Sequence, residues 1–250
     1  LEVRTGMETE AVGLKHSDKA EIAELEDAPG ETVETSLQRR LAAGSRDFLF
    51  LPFFLGPSQG ITDWLPRKLE ELREQFPDLR AKVAGSLAGK GEGDECLARA
   101  VSERVREIIA DEGLCRPVVA LVDHGTPVPE VNRARERVGE RVRELPGEDV
   151  AGLWTCSMER RPEPDYAFNE PLLATLLRDE SAVPSGDVVV AQFFLSPGRH
   201  AGKGGDVSEI CREAEEVRPR LRLHLTEPLG EHPLLLDLLE QRLRESLDAG

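Results

Sequence analysis

The chain has 250 residues, 39% of them apolar, with 32 Lys and Arg against 48 Asp and Glu for a formal net charge of −16. That length suits two domains of roughly 100–150 residues each, and the apolar share is too high for wholesale disorder. The acidity disfavours nucleic acid and anionic membranes as partners, but it leaves room for an anionic ligand held in a local basic pocket.

Strand and helix patterns alternate from the first residue. Candidate strands cover 1–5, 47–55, 79–87, 117–123, 150–158, 187–195 and 221–227. Candidate helices cover 32–43, 61–75, 94–112, 129–145, 168–179, 205–217 and 233–247. The stretch 14–31 (LKHSDKAEIAELEDAPGE) is polar and acidic, so it reads as a surface loop and His16 as a solvated loop histidine. DFLFLPFFL (47–55) and DVVVAQFFL (187–195) are near-continuous apolar runs, as parallel strands buried on both faces should be. The last helix opens on Pro233, a residue suited to a first turn. This alternation predicts a doubly wound α/β architecture, with parallel sheets flanked by helices.

Cys96, Cys115, Cys156 and Cys211 form no CxxC pair, which excludes a zinc ribbon and argues against a disulfide framework. They read as buried or lone thiols in a reducing cytoplasm. No stretch approaches 18 apolar residues, and no signal peptide is visible.

The chain repeats itself. FLFLPFFLGPSQG (48–60) matches VVVAQFFLSPGRH (188–200) at an offset of 140, and LRAKVAGSL (79–87) matches LRLHLTEPL (221–229) at 142. A long helix follows each copy, and Met7-Glu8 pairs with Met158-Glu159 at an offset of 151. Two duplicated α/β units are expected, 1–115 and 116–250, with a ligand cleft between them. Projected back by 151, His124 falls before Leu1, so the first unit lacks its opening strand and helix or has them upstream. A chain beginning without Met agrees with a processed or partial sequence. The first unit should then have a small sheet, with 1–5 beside 47–55 or displaced. Gly60 stands where His200 stands in the second unit.

Two of the predicted strands end in tight turns bearing histidines. VVALVDHGT (118–126) presents His124, and VVVAQFFLSPGRH presents His200. In an open parallel sheet, ligands bind beyond the carboxyl ends of the strands, and neutral imidazole is a common transition-metal ligand. Gly125 permits a sharp turn and close approach by a ligand, and the free N–H groups of the helix that follows can bind a carboxylate. Alone, a strand-end His-Gly equally describes a histidine that merely bonds its own turn. Ser196 to Asp206 holds four glycines with Arg199 and Lys203. It reads either as a basic loop able to pair with ligand carboxylates or as an ordinary solvated glycine loop. Glu159 follows a third strand end, where it is either a surface glutamate or a third ligand and proton acceptor. Two imidazoles and a carboxylate suit a divalent first-row metal with open positions. His224 reads as a core or edge residue and His232 as a helix cap, while Glu130 and Asn132 fall near the mouth of the His124 turn. No G-x-S-x-G elbow is present, which disfavours a hydrolase of that type.

LVDHGTPVPEVN (121–132) and FFLSPGRHAGKGGD (193–206) resemble the histidine loops of the class II, ATP-independent tetrapyrrole chelatases. The resemblance is specifically to the sirohydrochlorin cobalto- and ferrochelatases of cobalamin and siroheme biosynthesis. The Met-Glu after a strand of each unit fits as well. The resemblance implies tandem flavodoxin-like units and insertion of Co²⁺ or Fe²⁺ as a substrate into a flat macrocycle, with no ATP or other nucleotide. It implies His124 and His200 as the metal-binding, proton-accepting pair and Glu159 as the accessory carboxylate. Arg199, Lys203, Gly125 and Thr126 would hold the macrocycle, Thr126 standing where the family has serine. The implied partners are the tetrapyrrole and the metal ion, without nucleic acid or membrane, and a homodimer is admitted. One site, on the second unit, is expected. A non-catalytic metal or tetrapyrrole carrier and an unrelated two-unit α/β enzyme are the alternatives.

Overall fold

The computed structural model describes residues 1–14, 31–89, 91–144, 150–184 and 186–248, so His16 lies outside the described residues. These residues divide into two compact units. One comprises Leu1–Pro52, Ser58–Ala84 and Glu240–Gly250, and the other Phe53–Pro57 and Gly85–Leu239.

The first unit contains α1 (Glu2–Thr5), α2 (Val33–Ala42), β1 (Asp47–Phe50), a π-helical turn (Gly60–Trp64) running into α3 (Leu65–Gln75), and β2 (Arg80–Val83). Residues 1–5 are therefore a short helix, which corrects the strand expected there. Val3 is fully exposed, so this segment has no apolar face to bury in a sheet, and Gly6 closes the turn at φ 69°. Among the described residues, strand β1 pairs in parallel with β2 alone and ends well short of residue 55. Pro52 has no N–H with which to extend the ladder. Thr32 and Thr35 cap α2 reciprocally. Its Val33, Leu37 and Leu41 meet Leu65, Leu69 and Leu72 of α3, the helical spacing of two packed apolar faces.

The second unit contains α4 (Glu92–Asp111), β3 (Val118–Asp123), α5 (Pro129–Glu144), β4 (Gly152–Ser157), a 3₁₀ turn (Pro164–Asn169), α6 (Leu173–Arg178), β5 (Gly186–Gln192), α7 (Asp206–Val217) and β6 (Leu221–Leu225). It also holds the start of α8 (Pro233–Asp248). The sheet order is β4-β3-β5-β6, parallel throughout. Strand period two sends alternate residues to opposite faces. Val119, Leu121, Val189 and Ala191 join the core with residues of α4, α5 and α8. Ala120, Val122, Val188 and Val190 join the core with residues of α6 and α7. Full burial of each such side chain contributes about 1.5–3 kcal/mol for Val or Leu. The helix expected over 168–179 is split at Pro171, because proline lacks the helical N–H and disfavours α geometry in the residue before it.

One pairing recurs in the two sheets. Asp47 pairs with Arg80 across β1 and β2, and Asp187 pairs with Arg222 across β5 and β6. Each couple carries the same side-chain ion pair. The compact units nevertheless divide the chain differently from the 115/116 boundary of the repeat. Helix α4 buries Leu97 and Val101 with Val119 and Val189 of the second unit's sheet.

Candidate active site

The chain runs from β3 to β4 on one side, then crosses to β5 on the other side of β3. Strands β3 and β5 therefore flank the switch point of the sheet, where the two crossovers leave a crevice at the carboxyl ends. His124 follows β3 and His200 lies in the loop after β5. Their ring centroids are 4.6 Å apart with the planes at 64°. Both side chains remain part-exposed, at 44% and 35%.

The His124 turn is specified by close backbone packing. Met158 N–H donates to the Asp123 carbonyl at 2.7 Å, and Glu159 N–H donates to the His124 carbonyl at 3.1 Å. Gly125 sits at φ 92°, and a Cβ there would lie 1.9 Å from the Glu159 carbonyl oxygen. Gly125 thus serves the turn itself. His124 Nδ1 lies 3.0 Å from the Gly125 carbonyl oxygen, and its Nε2 lies 3.4 Å from Glu159 Oε1. Thr126 is held by the buried Asn169, whose side chain accepts from Thr126 N–H at 3.0 Å and donates to its carbonyl at 2.9 Å. The Thr126 hydroxyl accepts from Val128 N–H at 3.0 Å, so it shapes the approach to α5.

A buried ionic network lies beneath this turn. Arg135 of α5 is fully buried and donates to Asp123 Oδ1 at 3.0 Å and to Ser157 Oγ at 2.5 Å. The same Asp123 oxygen accepts from Gly125 N–H at 3.1 Å. One guanidinium therefore ties together the ends of β3 and β4, which carry His124 and Glu159.

The His200 loop is anchored by Gln192, the last residue of β5. Its amide donates to the Thr226 carbonyl and accepts from Gly202 N–H at 2.7 Å. The loop then folds back onto the start of α7. Asp206 N–H donates to the Arg199 carbonyl at 2.9 Å, and Val207 N–H donates to the His200 carbonyl at 3.1 Å. A Cβ at Gly205 would lie 2.9 Å from the His200 carbonyl carbon, so the closure needs glycine. His200 Nδ1 lies 2.6 Å from Asp206 Oδ2. Arg199 and Lys203 are exposed in this loop and make no ion pair among the described residues.

The other sequence candidates stand apart in their contacts. His224, on the edge strand β6, pairs with Asp187 at 3.0 Å. His232 is buried before α8, accepts from Leu234 N–H at 3.3 Å and meets Glu103 at 3.3 Å. Glu130 pairs with Arg133 at the surface, and Asn132 is buried. Sequence reading missed Asp123, Arg135, Asn169 and Asp206. It also missed Gln192, which had a signal as the one polar residue in VVVAQFFL. Among the described residues, no three or more His, Cys, Asp or Glu side chains are gathered as a metal-holding group. The arrangement is two adjacent rings set edge to face, Glu159 beside His124 and Asp206 beside His200, with both rings part-exposed.

The fold belongs to a recognisable class, the α/β chelatase fold. SirB from Bacillus subtilis with Fe3+ superposes at a TM-score of 0.62 and 18% identity, over 86% of this chain and 77% of that one. The sirohydrochlorin chelatase SirB from Bacillus subtilis subspecies spizizenii in complex with cobalt gives 0.62 at 17% identity, over 87% and 76%. CbiX, the terminal enzyme for siroheme biosynthesis in denitrifying bacteria, gives 0.53 at 14% identity, over 82% and 78%. At these identities the likeness is one of fold. The CbiX family model matches residues 118–246, just over half of the 250, and the chain belongs to the CbiX family. The chloroplastic sirohydrochlorin ferrochelatase of Arabidopsis thaliana is 38% identical over 60 residues. That match takes in 24% of this chain and about a quarter, 26%, of the plant protein. No helix among the described residues is long and apolar enough to cross a membrane.

Proposed function

We propose that this protein inserts a divalent metal, Co²⁺ or Fe²⁺, into sirohydrochlorin or a near relative without ATP. The observation that carries the reading is the meeting of His124 and His200, 76 positions apart in sequence, with ring centroids 4.6 Å apart. Family membership and the names of the similar proteins support it. The tandem units 1–115 and 116–250 belong to this reading, with the site built on the second alone.

Metal insertion exchanges two pyrrole N–H protons for one M²⁺. Neutral imidazole can both hold a divalent ion and accept a proton, and a pair of imidazoles matches the two protons released. Glu159, beside His124 Nε2, would share the positive charge of either species. An open pair of rings suits a metal that must leave with the product, since a closed cage would retain it. The substrate's carboxylates need cations in an otherwise acidic protein. The exposed Arg199 and Lys203 beside His200 would meet that need, Arg199 in bidentate fashion. The His124 turn, with Gly125 and Thr126, would form the opposite lip.

The test is anaerobic metallation of sirohydrochlorin by the purified protein, followed by absorbance with each metal in turn. Wild type should exceed the spontaneous rate and be indifferent to ATP. His124→Ala and His200→Ala should each lose about 10²-fold or more of that rate. Full rates in both variants would remove the assigned roles. Tight macrocycle binding without metallation by wild type would replace the chelatase with a carrier.

A further inference from the structure

We infer that Asp206 is a positioning residue that fixes the tautomer of His200, leaving the Nε2 lone pair of that ring free for a ligand. The inference draws its purpose from the chelatase reading, but its geometry stands alone. A carboxylate oxygen only accepts, so the 2.6 Å contact between Asp206 Oδ2 and His200 Nδ1 places a proton on Nδ1. The neutral ring then bears its lone pair on Nε2. Free histidine favours the opposite form, with the proton on Nε2, which could not bind a metal through that atom. A hydrogen bond from the distal nitrogen is the general device that orients metal-binding imidazoles.

The loop is built to hold this contact. Asp206 is the first residue of α7, and its N–H is tied to the Arg199 carbonyl while Val207 N–H is tied to the His200 carbonyl. Gly205 allows the backbones to touch, and Gln192 pins Gly202 from below. The six-residue excursion from His200 to Asp206 thus returns the carboxylate to the ring. An acidic residue in a first turn also favours its helix, so a purely structural role is the competing explanation.

Nuclear magnetic resonance separates the two. In ¹⁵N-labelled, metal-free protein at about pH 8.5, where imidazole is neutral, long-range ¹H–¹⁵N correlations report the tautomer of His200, with the ring assigned by its loss in His200→Ala. Wild type should show the Nδ1–H form, and Asp206→Ala should shift toward Nε2–H. Asp206→Asn keeps a carbonyl acceptor for Nδ1–H and should retain the wild-type form. Affinity for Co²⁺ alone should fall roughly 10–100-fold in the alanine variant and less in the asparagine variant. A wild-type ring in the Nε2–H form overturns the inference, even if the alanine variant fails to fold. So does an alanine variant with unchanged tautomer and unchanged Co²⁺ affinity. A wild-type protein that holds the Nδ1–H form yet metallates nothing would sink the chelatase reading and leave the role of Asp206 intact.

Discussion

Gly125 sets the most stringent local requirement of the site. Its φ of 92° excludes ordinary side chains, and the Glu159 carbonyl oxygen occupies the position a Cβ would take. The backbone conformation alone costs a non-glycine residue about 1–3 kcal/mol, before the contact is relieved. Gly125→Ala should therefore lower stability by at least that amount in urea unfolding and separate the ends of β3 and β4. Metallation should fall even under conditions where the variant is fully folded. A variant with wild-type stability and rate would show that the turn has slack. The glycine was legible in the sequence as a turn residue. Its conflict with residue 159 was not, because 33 intervening positions hide the contact from any local pattern.

The critical joint between elements is Arg135 of α5 against the ends of β3 and β4. It is a fully buried cation that meets Asp123 and Ser157, from two strands, and Glu136 of its own helix. Removing one member of a buried pair leaves the other charge without compensation, at a cost of about 3–5 kcal/mol. Arg135→Met should lose stability on that scale in denaturant titration. Adding Asp123→Asn to it should recover part of the loss, since the stranded charge is then gone. An Arg135→Met protein as stable as wild type would mean that the network is ornamental. On the sequence, Arg135 is one of several arginines along a polar helix, and nothing marks it as the inward one. Helix α5 itself was legible from its periodicity, as were the five other long helices. The errors fell where one residue overrules a pattern. Pro171 splits a helix, Pro52 shortens a strand, and exposed Val3 leaves residues 1–5 without a buried face.

Opposite ionisation effects bound the stability of the whole molecule. Hydrogen bonding from Arg222, aided by His224, holds the Asp187 carboxyl down at about 2 against the opposing effect of burial. A carboxylate depressed in the folded state contributes stability above its unfolded value, near 4, and loses it as pH falls through about 2. Asp47 is lowered in the same direction by Arg80. At the alkaline end, burial pushes the Cys211 thiol up to about 12 and raises Cys156 as well. A thiol raised in the folded state stabilises fully below its unfolded value, near 8.5, and the gain is lost as pH climbs above that. These effects should make unfolding free energy fall below about pH 4 and again above about pH 8.5. Asp187→Asn should make the acid flank shallower, Glu10 being lowered to about 2 as well, and Cys211→Ala the alkaline one. Flanks unchanged in both variants would assign the pH response to other groups.

The sequence by itself determined the alternation of elements, the recurring segments and the two histidine loops. Each is written in local apolar periodicity, in recurring segments, or in glycines beside a strand end. Asp47–Arg80 and Asp187–Arg222 form the same ion pair in the two sheets. Tertiary structure decided which side chains meet. Only the strand order β4-β3-β5-β6 brings His124 beside His200, sets Glu159 against the first ring and buries Arg135 under both strand ends. The return of the glycine loop likewise gave Asp206 to His200. Side-chain proximity across a sheet follows from strand pairing, a long-range outcome of burying apolar faces together, and the chain carries no local mark of it.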